Sequence, residues 1–270
     1  VQDLAHKTYF IAWGNCYDPP VLLCHGTIDS AACFRPLIRL LPQKFYYIGI
    51  ELPGNGKSDP FPRGMVLTLY DFVYAVHVVV NHFRWEKFIG IAHSFGSSVV
   101  KIYNLCYPGK LTKIIEFDPA LYRMVTLGDF HDWLNYIQFQ AIQSSMKRRH
   151  LSEECAKETL ERISVPAGDG FVRYTYDRRL KAIQTPPYTP EHYKDVLTSV
   201  KTPTLSIIAQ DTIDFGIYGQ TPFLLDETAY PNGNCRIKIV KGSHDVHYNN
   251  PKCVADYVNE FLIGGFKAKL

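Results

Sequence analysis

The chain lacks any apolar run approaching the length that spans a bilayer, any Asn-x-Ser/Thr acceptor site, any Cys-x-x-Cys pair and any internal repeat. Each absence removes a class of protein. Without about 20 consecutive apolar residues no membrane-spanning helix is expected. The missing acceptor site fits an intracellular protein. Seven cysteines, an odd number without ligand-like spacing, argue against a disulfide framework and against a zinc site. Cys24, Cys106 and Cys253 lie in apolar surroundings and are expected to be buried small hydrophobes. Charge of either sign is not in excess. The 29 Lys and Arg against 26 Asp and Glu leave a net +3, too little to suggest nucleic acid or an anionic membrane as a partner. No signal peptide is recognisable, although the chain opens on Val1 rather than Met.

What is present is an ordinary globular balance, 46% apolar and 20% charged over 270 residues, enough for one large α/β domain or two small ones. Short continuous apolar runs recur: Val21–Cys24, Tyr46–Ile50, Phe88–Ala92, Lys113–Phe117, Pro203–Ala209 and Arg236–Val240. Such runs are typical of strands buried on both faces. Tyr9–Gly14 is expected to be an earlier strand. Between the strands lie helical patterns. One starts at Thr68, whose hydroxyl is followed three residues later by the acid of Asp71, and is expected to run to about His82. Another closes the chain from about Pro251 to Leu262. Alternation of this kind predicts an α/β fold with a mainly parallel, doubly wound sheet. Residues 121–200 break the alternation, with helical segments at 133–146 and 152–163 and no strand-like apolar run. They are expected to be a helical cap inserted into a core formed by 1–120 and 201–270.

Chemistry concentrates where strands end. Phe88–Ala92 runs into His93-Ser94-Phe95-Gly96 and then a helical run. Strand, sharp turn and helix around G-x-S-x-G, here with Ala92 in the first position, is the context of a nucleophilic serine. A serine hydroxyl needs a base within hydrogen-bond reach and an acid to orient that base. Asp211 and His244 each follow a predicted strand, as Ser94 does, and functional residues of open α/β sheets gather beyond the carboxyl ends of the strands. Fixed backbone donors best meet charge developing on a carbonyl oxygen. The amide of Phe95 and that of Thr27, in the loop after Cys24, are the expected oxyanion hole. Gly26 would let that loop approach substrate, with His25 and His93 supporting the loop geometry or lining the pocket rather than transferring protons. His247 is expected to be a packing neighbour of His244, and Asp29 a loop hydrogen-bonder.

The segments 20–26, 51–58, 93–96, 150–155 and 242–251 together make the chain resemble the α/β-hydrolases, and within them the serine hydrolase-like proteins that include the insect Kraken-type hydrolases. The resemblance implies the α/β-hydrolase fold, Ser94 as nucleophile, His244 as base, 121–200 as the cap, and hydrolysis of a small-molecule ester. The base of such proteins stands seven residues before a Pro, as His244 stands before Pro251. Their acid commonly falls in Gly-x-x-Asp, whereas Ala209-Gln210-Asp211-Thr212 places Asp211 one residue early and Asp214 two late. Asp211 is the preferred acid and Asp214 its alternative, ahead of Glu116 or Asp118 after the preceding strand. Glu51 and Asn55 stand where relatives carry Asp and His and are read as structural loop positions.

The expected activity is that of a carboxylesterase-type serine hydrolase on a small to medium, apolar ester, without metal or cofactor. The alternative is a ligand-binding or sensor protein of the same fold with little turnover, suggested by the misplaced acid. Trp133, Tyr136, Phe139, Tyr174 and Tyr176 are read as core rather than pocket, and Arg148, Arg149, Arg178 and Arg179 as a solvated face. Ala268-Lys269-Leu270 differs by one residue from the Ser-Lys-Leu peroxisomal address. If Leu270 is the natural terminus, a peroxisomal import receptor is an expected partner; otherwise a cytoplasmic location is expected.

Overall fold

A computed structural model describes residues 7–119, 152–168, 171–184 and 188–264. Seven strands form one sheet in the order β1-β3-β2-β4-β5-β8-β9. They are β1 (Phe10–Trp13), β2 (Pro20–Cys24), β3 (Tyr46–Ile50), β4 (Phe88–His93), β5 (Leu111–Phe117), β8 (Thr204–Ala209) and β9 (Cys235–Val240). Only β1 is antiparallel to its neighbour; the other pairings are parallel. The central strands are apolar on both faces because both faces are covered. Leu22, Cys24, Ile48 and Ile50 pack on one side with Phe72, Val76 and Val99. Val21, Leu23, Tyr47 and Ile91 pack on the other with Phe34, Val254 and Val258. Charged residues mark one edge: Arg236 and Lys238 lie on β9, which deters pairing with a second sheet.

The long helices follow the pattern. α1 (Arg35–Ile38) is a single turn after β2; α2 is Leu69–His82 and α3 is Phe95–Cys106. At the head of α2 the Asp71 carboxylate accepts hydrogen bonds from the Thr68 N–H at 2.7 Å and its hydroxyl at 2.8 Å, so the first turn has an acceptor for donors that a helix leaves unpaired. Cys24 is buried, as expected, and burial pushes its thiol up. Cys106 is exposed, and Cys253 is half-buried against the core layer, so neither is the fully buried residue expected.

Between β5 and β8 the described residues contain α4 (Glu153–Ile163), a two-stranded hairpin of β6 (Ser164–Gly168) and β7 (Phe171–Tyr174), and α5 (Pro190–Thr198). The hairpin adds two strands to a stretch expected to be helical. Its strands are short and largely exposed, so they carry no apolar run to reveal them. α4 is bolted to the body of the protein: Arg162 donates to Glu51 Oε1 from Nε at 2.8 Å and from a terminal nitrogen at 2.6 Å, with Glu51 fully buried. Glu51 also accepts the Lys57 N–H, and Asn55 accepts the Asp29 N–H, so both are loop-building residues as predicted. Arg179 is not on a solvated face. It forks onto Asp177 and donates to the carbonyls of Phe61, Pro62 and Met65. Tyr174 is half-exposed rather than core. Trp133, Tyr136, Phe139, Arg148, Arg149 and the tail 268–270 lie outside the described residues. No helix among the described residues is long and apolar enough to cross a membrane.

A buried ion pair joins α3 to β5. Lys101 Nζ lies 2.8 Å from Glu116 Oε1, with both side chains almost wholly shielded. Burial alone would depress the ammonium, but the Glu116 carboxylate outweighs it and holds the group above the usual lysine range. Removing one partner strands a buried charge. Lys101→Met should therefore cost about 3–5 kcal/mol in urea unfolding, and adding Glu116→Leu should recover most of that loss.

Candidate active site

The parallel strands share one carboxyl edge, where β2 and β4 are neighbours but lead to opposite sides of the sheet. Their loops part there and open a crevice. Ser94 stands at that point, half-buried, with φ 51° and ψ −122°. A non-glycine residue in this region stores roughly 1–3 kcal/mol of strain and must be held by its surroundings. The hold is visible: the Ser94 N–H donates to the Phe117 carbonyl at 3.0 Å, and α3 begins at the next residue. Gly96 completes it. A Cβ there would fall 2.3 Å from the Cys24 carbonyl oxygen and 2.6 Å from that of His25, so only hydrogen lets the first turn of α3 lie against the end of β2. Position 92 has room for a methyl, and Ala92 is wholly buried.

The loop after β2 passes beside the serine. A Cβ on Gly26 would meet Ser94 Cβ at 3.2 Å and His93 Nδ1 at 3.1 Å. Thr27, half-buried, follows, and then Ile28 in a second strained conformation at φ 54°. Of the two roles open to His25, its contacts are those of a loop support. It is fully buried, its Nδ1 lies 2.6 Å from the Gly26 carbonyl, and its Nε2 accepts the Leu52 N–H at 3.1 Å. Both ring nitrogens thus brace the loop that places Thr27.

His244 lies in the loop after β9, with its Nδ1 2.5 Å from Asp118 Oδ2. The His244 side chain is about one-third exposed and that of Asp118 wholly buried. Asp118 follows β5 directly and has φ 43°. Ser94 and Asp118 therefore both sit in strained turns at the ends of adjacent strands. Four donors surround the carboxylate. Oδ1 accepts the Ala209 N–H and the Tyr218 hydroxyl, each at 2.9 Å. Oδ2 accepts the Thr212 hydroxyl at 2.6 Å besides the imidazole.

The carboxylate seen on His244 is thus that of Asp118, where Asp211 or Asp214 was expected. Asp211 and Asp214 belong to α6 (Gln210–Asp214), a single turn after β8. In that turn the residue facing inward is Thr212, which is buried, whereas Asp214 is exposed and accepts from Gln210. The position three residues after Ala209 does meet the site, but it brings a hydroxyl, and the carboxylate comes from β5. Sequence reasoning also missed Tyr218. The only local signal for Asp118 is a carboxylate ending a strand that neighbours the serine strand.

His93 lies beneath His244. It is 1% exposed, its Nε2–H donates to the His244 carbonyl at 3.0 Å, and the two rings are 4.7 Å apart. His247 packs under both, stacked on Phe117 and 4.3 Å from the His93 ring, with neither nitrogen hydrogen-bonded. Burial, then the neighbouring His93, pushes its imidazole well below the usual range, so it is a neutral packing residue. Asp29 accepts the Ser30 N–H at 2.8 Å. Among the described residues, Asp29, His93 and Asp245 could offer one ligand atom each to a metal, all within 4.8 Å of one another. The Nε2–H of His93 is committed to the His244 carbonyl, which leaves that nitrogen no lone pair for an ion.

Residues 19–164 match a family model described as the alpha/beta hydrolase fold. The chain is 26% identical over 273 residues to a serine hydrolase-like protein of Danio rerio, covering 93% of this chain and 83% of that protein. It is 32% identical over 191 residues to serine hydrolase-like protein 2 of Homo sapiens, covering 63% and 60%. A crystal structure of a hypothetical protein from Pseudomonas aeruginosa superposes with a TM-score of 0.79 at 18% identity, covering 95% of this chain and 96% of that one.

The contact at Gly96 makes a prediction about the elbow itself. Gly96→Ala forces apart two backbones and should destabilise the fold by about 1–3 kcal/mol or more, measured by thermal and urea unfolding. Ala92→Gly, which removes only a methyl, should leave labelling of Ser94 by an active-site probe in place.

Proposed function

The chain belongs to the α/β-hydrolase fold family, and on that premise we propose that it is a serine hydrolase of the carboxylesterase type. The observation that carries the proposal is the 2.5 Å contact from His244 Nδ1 to a buried carboxylate, on the same sheet edge as a strained serine. In this reading Asp118, not Asp211, is the acid. It fixes the tautomer in which Nδ1 keeps its proton, so Nε2 is the nitrogen left to take the proton of Ser94. Ser94 Oγ attacks the ester carbonyl. The amides of Phe95 and Thr27 receive the developing oxyanion. His244 then returns its proton to the leaving alkoxide, and water deacylates the serine by the same route in reverse.

The substrate class rests on the nucleophile. A hydroxyl at the elbow forms an acyl ester that water can cleave, whereas the haloalkane and epoxide chemistries of this fold require a carboxylate there. The sensor reading drew its support from an acid out of place, and His244 already has a carboxylate at hydrogen-bond distance. It is therefore not carried further.

A fluorophosphonate probe tests the proposal without knowledge of the substrate. Wild type should be labelled and folded Ser94→Ala should not; unlabelled wild type would sink the reading. Against a panel of short-chain aryl esters, Asp118→Asn should lower kcat by roughly 10³–10⁴-fold, as expected for an acid that sets a tautomer. Asp211→Asn and Asp214→Asn should stay near wild type, and the opposite pattern would return the acid to α6.

A further inference from the structure

We propose that Tyr218 is a positioning residue that sets the proton affinity of His244 through the far oxygen of Asp118. The inference rests on the reading of Asp118 and His244 as acid and base. An ionised carboxylate offers about four lone-pair sites, and this one has four donors: Ala209 N–H, Tyr218 and Thr212 hydroxyls, and the imidazole. One is main chain and one is the base itself, which leaves two hydroxyls through which side-chain chemistry can tune the acid.

Tyr218 is the more distant in sequence from β8 and the more deliberate in placement. It lies in a short 3-10 turn, Ile217–Gln220, whose other residues are exposed, yet its own side chain is buried and its hydroxyl reaches Asp118 Oδ1 at 2.9 Å. Burial, and next the Asp118 carboxylate, hold its phenol well above the usual range, so it remains a donor wherever the enzyme would work. A hydroxyl donated to a carboxylate favours the ionised form and lowers its basicity. Each such bond therefore weakens the pull of Asp118 on the Nδ1 proton and makes the imidazolium of His244 less stable.

The other charged and titratable neighbours are accounted for. On β5, Glu116 is neutralised by Lys101 of α3 at 2.8 Å, and Lys101 also reaches the Tyr230 hydroxyl at 3.4 Å. Beneath the base lie His93, Asp245 and His247, with Asp29 behind them. None of these donates to Asp118 in the contacts described. Removing the Tyr218 hydroxyl leaves the ring in place and returns a lone pair to Oδ1. The carboxylate becomes more basic, and the His244 midpoint moves up.

The test reads that midpoint directly. The His244 imidazole would be followed by NMR titration in full-length protein, assigned by its loss in His244→Ala. In Tyr218→Phe its midpoint should rise by roughly half a pH unit, and the acid limb of fluorophosphonate labelling should move up with it. Thr212→Val should act in the same direction, and Thr212→Ser, which keeps the hydroxyl, should leave the midpoint where it was. An unmoved or lowered midpoint in folded Tyr218→Phe overturns the inference, and if that variant does not fold, Thr212→Val decides by the same criterion. Failure of wild type to label at Ser94 would instead strike the hydrolase reading, since the NMR titration does not depend on turnover.

Discussion

The contact between Asp118 and His244 is the interaction on which the architecture of the site turns. A carboxylate with no exposed surface is costly to bury unless its lone pairs are filled. Filling them recruits β8, α6, the 217–220 turn and the loop after β9 around the end of one strand. The base is thereby fixed by its own loop and by the acid's other partners, since anything that moves the carboxylate moves the imidazole. Its lower face is held independently, through the bond from His93 to the His244 carbonyl.

The serine side of the crevice is organised by repulsion rather than attraction. There the limiting distance is that between two backbones at Gly96 and Cys24, and the strained conformation of Ser94 follows from how little room they leave. Three of the four non-glycine residues with positive φ among the described residues, Ile28, Ser94 and Asp118, stand at this one edge of the sheet. Strain gathered in this way is tolerated because the strands leading into it are buried over their last four residues and held by their neighbours.

Most of the fold was legible because its strands are continuous apolar runs and its α2 helix announces its start with Thr68 and Asp71. Ser94 and His244 stood out as candidates for a similar reason: each is marked by residues within a few positions along the chain. Asp118 was not, because the fact that decides it is a pairing between residues 126 apart. A one-residue difference of phase in α6 aims Thr212 at the site instead of Asp211, and no local pattern reports that phase. The β6–β7 hairpin and the Arg162–Glu51 bond escaped for the same two reasons, exposed strands without an apolar signal and a partner 111 residues away. For His25 and His93, loop support and pocket lining were both open, and ring burial favours the first. A histidine beside a nucleophile in sequence looks like a pocket residue until its nitrogens are seen to be spent on the main chain.

All four donors to Asp118 lie downstream of the insertion, while the carboxylate itself and Ser94 lie upstream. The acid is therefore also a seam, the place where the two halves of the chain are stitched together after a long excursion. On the proposed mechanism, a lineage that abandoned turnover would be free to lose its serine, yet would still need an acceptor at the end of β5 to close the fold. Divergence in such proteins should erase the nucleophile first and the carboxylate last.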